Sequence, residues 1–252
     1  PDAPSLARVL KKAGYATAHF GKWHMGGGRD IGEAPLPQRY GFDESLVSFE
    51  GLGERILPPG SLSDRNAQLG RGKTRRVEKH EMSEIYVDRA IRFIRQAENR
   101  PFYINLWPND VHDGHHPKPE LVEKYKKVTE NRYEQKFFAV LEELDRQIGR
   151  VLDEIDQRDL ARDTLILFTS DNGPTDWPKY YERGYPPPGS SGPFKGRKWS
   201  LYEGGIRMPF MAQWKGRIPA GKVNDTSVMC LLDIFPTVCA MAQVPLPEGR
   251  SL

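Results

Sequence analysis

The 252-residue sequence has few cysteines, no long apolar run and little net charge. Its two cysteines, Cys230 and Cys239, cannot form a disulfide scaffold or a four-ligand zinc site, and we expect them to be core thiols. No apolar run approaches the ~18–20 residues of a membrane-spanning helix, and the mean hydropathy is −0.64. A disulfide-rich scaffold and a membrane span are therefore not predicted.

Charge of one sign is also scarce, since 37 Lys+Arg stand against 34 Asp+Glu for a net charge of +3. The densest basic stretch, Arg71–Lys79, contains no aromatic residue, so nucleic-acid binding is not predicted. The sequence begins at Pro1 without a basic segment followed by an apolar one. We expect no targeting segment within these residues, and they give no cellular location.

The sequence does contain alternating helical and extended patterns. Apolar residues at helical spacing predict three helices, and a capping residue predicts a fourth: Leu6–Leu10, Met82–Glu98, Tyr133–Ile155 and a helix from Asp233 to Ala242. Short apolar runs predict four strands, of which the second and third are suited to burial: Tyr15–Phe20, Phe102–Trp107, Thr164–Thr169 and Pro209–Trp214. This alternation predicts an α/β fold with a doubly wound, mostly parallel sheet flanked by helices. Between Gly26 and about His80, abundant Gly, Pro and Arg predict a long surface excursion.

Polar side chains follow three of the predicted strands. The segments are Gly21–His24, Asn109–His112 and Ser170–Gly173. In open parallel sheets, ligands bind beyond the carboxyl ends of the strands. Each segment alone is also ordinary turn chemistry, but three such ends together indicate a functional site.

Two of these segments carry residue types suited to an ionic ligand. Asp171 and Asn172 offer adjacent oxygens of the kind that Ca²⁺ or Mg²⁺ prefers, although Asp-Asn-Gly is equally good turn chemistry. Lys22 and His24 are two residues apart, so in an extended chain they share a face and can meet one anion. A surface lysine beside a hydrogen-bonded histidine is the alternative.

The densest titratable cluster contains three histidines and two aspartates: Asp110, His112, Asp113, His115 and His116. The segment lacks a helix that would set two imidazoles four residues apart, so a single histidine acting as an acid is favoured over a zinc site. A phosphate loop at Ala67–Thr74 is rejected, because polar residues precede it and charged residues follow it. Lys195 and Lys198 lie in a glycine-rich segment before the last predicted strand.

The segment Leu6–Gly26, LARVLKKAGYATAHFGKWHMG, resembles the second signature of the sulfatase family. Further landmarks of that family follow in the same order: Tyr40–Asp43, Val111-His112, Phe168–Gly173, Lys198–Pro209 and Leu232–Thr237. The resemblance spans the chain. It implies an alkaline-phosphatase-like α/β/α sandwich that hydrolyses sulfate esters, and we expect a small-molecule or oligosaccharide sulfate ester as the substrate.

The resemblance also implies residue roles by position. Asp171 and Asn172 would be ligands of Ca²⁺, with Mg²⁺ as the alternative, and Lys22 and Lys198 would hold the sulfate oxygens. Family members use a formylglycine nucleophile made from the Cys or Ser of a C-x-P-x-R motif.

Histidines would serve two further roles in this resemblance. His24 would hydrogen-bond the formylglycine, and His112 would bind the substrate and protonate the leaving oxygen. His115 is the runner-up for the acid, because Asp113-Gly114 stands where relatives often have a residue followed by Pro.

The sequence departs from the family pattern in one essential respect, because it contains neither C-x-P-x-R nor S-x-P-x-R. The paired acidic ligands of the family's N-terminal strand are missing as well. We therefore expect residues 1–252 to be a partial N-terminal catalytic domain, incomplete at both ends, with little activity alone and an exported parent enzyme. A phosphoryl or phosphonate monoester hydrolase and a non-catalytic anion-binding relative are the alternatives.

Overall fold

The computed structural model describes residues 3–26, 34–49 and 52–247. Its strands are β1 (Ala16–Trp23), β2 (Glu44–Phe49), β3 (Arg55–Leu57), β4 (Thr74–Arg76), β5 (Phe102–Trp107), β6 (Ile166–Thr169) and β7 (Phe210–Gln213). Its α-helices are α1 (Leu6–Lys12), α2 (Ser61–Leu69), α3 (Met82–Ala97), α4 (Pro119–Tyr125), α5 (Arg132–Gln157), α6 (Pro178–Tyr181), α7 (Glu203–Ile206) and α8 (Ile234–Met241). Every helix and strand predicted from the sequence is present.

The chain forms two compact units, residues 1–109 with 224–252, and residues 110–223. The first unit holds a five-stranded sheet in the order β4-β3-β2-β1-β5, and all of its strand pairs are parallel. This confirms the predicted parallel sheet. The assignment of residues 1–252 to a single catalytic domain stays a prediction.

The surface excursion predicted between Gly26 and His80 is wrong for much of its length. Strands β2, β3 and β4 lie there, and Val47 and Ile56 are 0% and 1% exposed. Strands β3 and β4 have only three residues each, and β4 contains no apolar residue. In β2, Ser45 precedes the apolar residues and Ser48 interrupts them, so none of the three strands stands out from the surrounding Gly, Pro and Arg. Residues 27–33 and 50–51 of the segment lie outside the described residues.

The two faces of the sheet in the first unit bury different residues. On one face Phe20 and Leu46 pack with Tyr86 and Phe93 of α3. On the other face a second cluster contains Ala7 of α1 with the side chains Trp23, Phe42 and Val47. Helix α1 begins where the Ser5 hydroxyl accepts a hydrogen bond from the Arg8 N–H at 3.2 Å. Helices on both faces therefore fix the direction of β1, which carries Lys22.

In the second unit, β6 and β7 pair with each other in antiparallel orientation. Both strands were predicted, but an apolar run does not encode strand direction. The prediction that β6 is buried is wrong, since Phe168 is 39% exposed. The prediction that β5 of the first unit is buried on both faces is also wrong, since Trp107 is 53% exposed. Helix α5 has 26 residues, and its first turn is capped by the Asn131 side chain.

The C-terminal segment returns to the first unit as α8. Asp233 occupies the N-cap position, as predicted, but its carboxylate accepts the Cys230 N–H at 2.7 Å instead of capping the helix. Cys239 is buried, whereas Cys230 is exposed and is not the core thiol that we expected. Among the described residues no helix is long and apolar enough to cross a membrane.

Candidate active site

The carboxyl end of β1 carries the first two predicted site residues. The strand continues to Trp23, three residues beyond the predicted end, so Lys22 lies within it and His24 follows it. Because side chains alternate along a strand, Lys22 lies on the face opposite the buried Trp23 side chain, which is 3% exposed. Lys22 pairs in register with Ser48 of β2, at the carboxyl edge of the sheet.

Asn109 joins this edge, although the sequence reasoning gave it no role. Its Oδ1 accepts hydrogen bonds from the Ser48 hydroxyl at 2.6 Å and from the Tyr86 hydroxyl at 3.4 Å. Both donors belong to residues that are 0% exposed. Two hydroxyl groups on Oδ1 fix the orientation of the amide, so its Nδ2 donor points away from them. The only signal in the sequence was the position of Asn109 after a strand.

His19 was also missed, because a histidine inside an apolar strand looks like an ordinary core residue. The ring is 0% exposed and lies against Trp23 and Trp107, each with centroids 5.0 Å away, and against Phe42 at 5.4 Å. Burial lowers the pKa of His19 from 6.5 to about 4. The neutral ring donates from Nε2 to the Lys22 carbonyl oxygen at 3.1 Å, and this bond ties down the backbone at Lys22.

The low pKa of His19 predicts that the free energy of unfolding falls as the solution becomes acidic. Between pH 6.5 and about 4 the unfolded chain protonates this imidazole while the folded chain does not. The unfolded state binds more protons there, so stability is lost as the pH falls through this window, by about 3 kcal/mol in total. Urea denaturation at pH 7 and pH 4.5 measures the loss.

One substitution isolates the contribution of His19. The side chain of a His19→Gln variant does not titrate, so the free energy of unfolding of this variant should depend less steeply on pH than that of the wild type. Equal slopes in the wild type and His19→Gln would contradict the assignment.

In the second unit, the structure brings His112 and Lys198 together although they are 86 residues apart. Nδ1 of His112 lies 2.7 Å from the Asp113 carbonyl oxygen, and Nε2 lies 3.3 Å from Lys198 Nζ. A carbonyl oxygen only accepts, so Nδ1 carries the proton and Nε2 accepts from the ammonium group. The main chain at Lys198 is fixed as well, because its N–H donates to the Pro174 carbonyl oxygen at 2.9 Å.

His115 is placed differently from His112. It is 8% exposed, its Nε2 lies 3.1 Å from the Val111 carbonyl oxygen, and its ring packs against Phe137 with centroids 5.4 Å apart. His112 is exposed and faces a lysine. The geometry therefore favours His112 over His115 as the acid.

Asp171 and Asn172 form a turn after β6. The Asn172 amide donates from Nδ2 to the Gly173 carbonyl oxygen at 2.9 Å, and the Gly173 N–H donates to the Gly205 carbonyl oxygen at 2.9 Å. A Cβ on Gly173 would lie 2.0 Å from the Gly204 carbonyl oxygen, so only glycine permits this contact. Main-chain hydrogen bonds thus join this turn to the segment that carries Lys198.

This turn fits a calcium ion chemically but supplies only part of its coordination. Asp171 and Asn172 are oxygen donors, the type that Ca²⁺ prefers, and calcium usually takes ~6–8 oxygens. Among the described residues no group of three or more His, Cys, Asp or Glu side chains could hold a metal ion. Four of the six predicted site residues lie in the second unit, namely His112, Asp171, Asn172 and Lys198. The other two, Lys22 and His24, lie in the first unit.

Comparisons with known proteins agree with the resemblance seen in the sequence. A model of the sulfatase family matches residues 1–244. Arylsulfatase G of Mus musculus is 31% identical over 299 residues, covering 98% of this chain and 50% of that protein. N-acetylgalactosamine-6-sulfatase of Homo sapiens is 30% identical over 263 residues, covering 100% of this chain and 47% of that protein. The chain thus spans about half the length of these curated relatives.

A solved structure gives the same assignment. The PsFucS1 sulfatase from Pseudoalteromonas sp. superposes with a TM-score of 0.70 at 29% identity, covering 96% of this chain and 51% of that one. The alkaline-phosphatase-like α/β fold is confirmed, and members of this family generally use Ca²⁺ and formylglycine. On the match over residues 1–244, the chain belongs to the sulfatase family.

Proposed function

We propose that the protein hydrolyses sulfate esters of carbohydrates. The observation that carries this proposal is the pairing of His112 with Lys198, Nε2 to Nζ at 3.3 Å, with Nδ1 bound to a carbonyl. A cation beside an imidazole suits an anionic ester, since one holds an oxygen while the other transfers a proton. Relatives such as N-acetylgalactosamine-6-sulfatase are named for a sugar sulfate, which supports the substrate class.

In this proposal the two lysines and His112 perform separate tasks. Lys22 and Lys198 hold the sulfate oxygens and stabilise their negative charge. The sulfuryl group passes to the nucleophile that the complete protein would supply, and the electron pair of the broken S–O bond stays on the leaving oxygen. That oxygen takes a proton from Nε2 of His112 in its doubly protonated form, which has bound a second proton from solvent, and the ring returns to the neutral Nδ1–H form seen in the structure. Repulsion between the Lys198 ammonium and a proton on Nε2 favours this transfer. The proton on Nδ1 stays in its bond to the Asp113 carbonyl.

The two family cofactors stand differently in this chain. Asp171 and Asn172 would hold Ca²⁺, which supplies additional positive charge to the bound sulfate. The residues do not fit formylglycine, because neither C-x-P-x-R nor S-x-P-x-R occurs among the 252 residues. We propose that His24 would hydrogen-bond the nucleophile of the complete protein. We also propose that the protein is exported.

Assays on paired substrates test the proposed function. We expect the complete gene product to hydrolyse 4-nitrophenyl sulfate with a higher kcat/KM than 4-nitrophenyl phosphate, and the 252-residue chain alone to show little turnover. A preference for phosphate would favour the phosphoryl alternative. Anion binding without turnover by the complete protein would favour the non-catalytic one, and robust turnover by the 252-residue chain would refute its predicted inactivity.

A further inference from the structure

Asp113 is one residue from the proposed acid, and its side chain is almost fully enclosed. The carboxylate is 5% exposed. Its Oδ1 accepts a hydrogen bond from the Tyr180 hydroxyl and lies 4.0 Å from Lys179 Nζ, and Thr175 donates to the same carboxylate. A buried carboxylate with these partners is held in one orientation.

Asp113 stays ionised in this environment. Burial raises the pKa of its carboxyl, but the hydrogen bonds from Thr175 and Tyr180, with the charges of His115 and Lys179, lower it by more. The net pKa lies below its ordinary value. At neutral pH the carboxylate therefore accepts hydrogen bonds from both Thr175 and Tyr180.

The main chain of Asp113 meets the imidazole of His112. Its carbonyl oxygen accepts the Nδ1–H at 2.7 Å, so the residue is bound through its side chain on one side and holds His112 through its backbone on the other. We propose that Asp113 is a positioning residue that keeps the His112 proton on Nδ1 and directs Nε2 toward the reacting oxygen. This inference rests on the proposed function of His112 as the acid.

The position of the Nδ1 proton matters because a general acid must present Nε2 to the leaving group in every turnover. If the ring rotated by half a turn, the carbonyl would face another ring atom and Nε2 would lose its direction. Partners that orient a functional histidine through its second nitrogen are known to set both its tautomer and its ring angle. Asp113 supplies that partner as a backbone carbonyl made rigid by its own carboxylate.

Tyr180 belongs to the same arrangement. It is 2% exposed, and its ring packs edge-on against Tyr133 with centroids 5.1 Å apart. Removal of its hydroxyl takes away one donor to Asp113 and leaves the ring packing intact. The neighbouring Tyr181 also donates to an aspartate, but its partner is Asp176 Oδ1 at 2.8 Å, and the residue is 55% exposed. Tyr180→Phe and Tyr181→Phe are therefore a matched test and control.

Leaving-group dependence tests the inference in the complete protein. For an alkyl or sugar sulfate, whose leaving oxygen needs the proton, Asp113→Asn should lower kcat about 10- to 100-fold with little change in KM. For 4-nitrophenyl sulfate, whose leaving group departs without a proton, the loss should be much smaller. Tyr180→Phe should lower kcat for the two esters in the same order, but by less than Asp113→Asn does. Tyr181→Phe should keep kcat for both esters within about twofold of the wild type.

A spectroscopic measurement separates this inference from the proposed function. In protein labelled with ¹⁵N-histidine, the ring ¹⁵N chemical shifts of His112 should be those of the tautomer with its proton on Nδ1. Asp113→Asn or Tyr180→Phe should move these shifts toward the values of a mixture of the two tautomers. The result does not require turnover, so an inactive protein with these signals would overturn the proposed function alone. Unchanged His112 signals in both variants, or equal loss of kcat on both classes of ester, would overturn the role of Asp113.

Discussion

Substitution of Gly21 by alanine should destabilise the protein by about 3–5 kcal/mol. Gly21 pairs in register with Trp107 of β5, and its backbone φ is +130°, a region that side chains rarely adopt. A Cβ at this position would lie 1.9 Å from the Trp107 carbonyl oxygen. Since that oxygen belongs to the main chain of a neighbouring strand, relief requires β1 and β5 to separate.

Gly14→Ala is the matched control. Its φ of +93° is also positive, but nothing lies within 4 Å of a Cβ built there. We expect only the conformational cost, about 1–2 kcal/mol. Urea denaturation curves of both variants give the comparison, with failure of Gly21→Ala to accumulate as folded protein counting as a large loss. Equal costs for the two variants would show that the close approach of β1 and β5 is not what demands glycine.

Substitution of Lys198 by alanine should lower kcat/KM for a sulfate ester about 10²- to 10³-fold, the usual loss for one group that stabilises an anionic transition state. Its ammonium lies 3.3 Å from Nε2 of His112, so one substitution removes both a sulfate contact and the partner of the imidazole. The measurement is steady-state hydrolysis by the complete protein at neutral pH.

Lys195 provides the control three residues earlier in the same segment. It is exposed, and its Nζ lies 4.2 Å from the centre of the Tyr202 ring. We propose no catalytic or binding role for Lys195 or Tyr202. Lys195→Ala should change kcat/KM by no more than about twofold. If both variants lost activity equally, the general positive charge of the segment, and not the position of Lys198, would explain the effect.

The parts of the fold that the sequence predicted well carry a strong apolar pattern, which is a long helical stripe in α5 and a dense apolar run in β5. Helix α5 was predicted over Tyr133–Ile155 and runs from Arg132 to Gln157, and β5 was predicted with its observed bounds. In these segments the apolar spacing alone determines the element and its length. The short strands β2, β3 and β4 gave no comparable signal, because their formation depends on pairing with neighbours distant in sequence.

The candidate site shows the same division. Their positions after predicted strands singled out Lys22, His112 and Asp171, and the ordered motifs of a known family gave these residues and Lys198 their expected roles. The contact between His112 and Lys198 could not be predicted from spacing, since it joins positions 86 residues apart. Asp113 was noted as a member of the titratable cluster and as a departure from the family pattern, but it was given no role, because enclosure by Tyr180 and Thr175 is a property of the folded chain.

The uncharged imidazole of His19 has a consequence for where such a protein can work. In a neutral medium, such as the periplasm or the space outside a cell, the ring needs no proton and its aromatic enclosure is undisturbed. In an acidified vesicle at about pH 4.5, the free energy of unfolding would be smaller, because the imidazole of His19 is protonated in the unfolded chain but largely uncharged in the folded one. A relative adapted to that compartment would therefore gain durability from an apolar or non-titrating side chain at position 19.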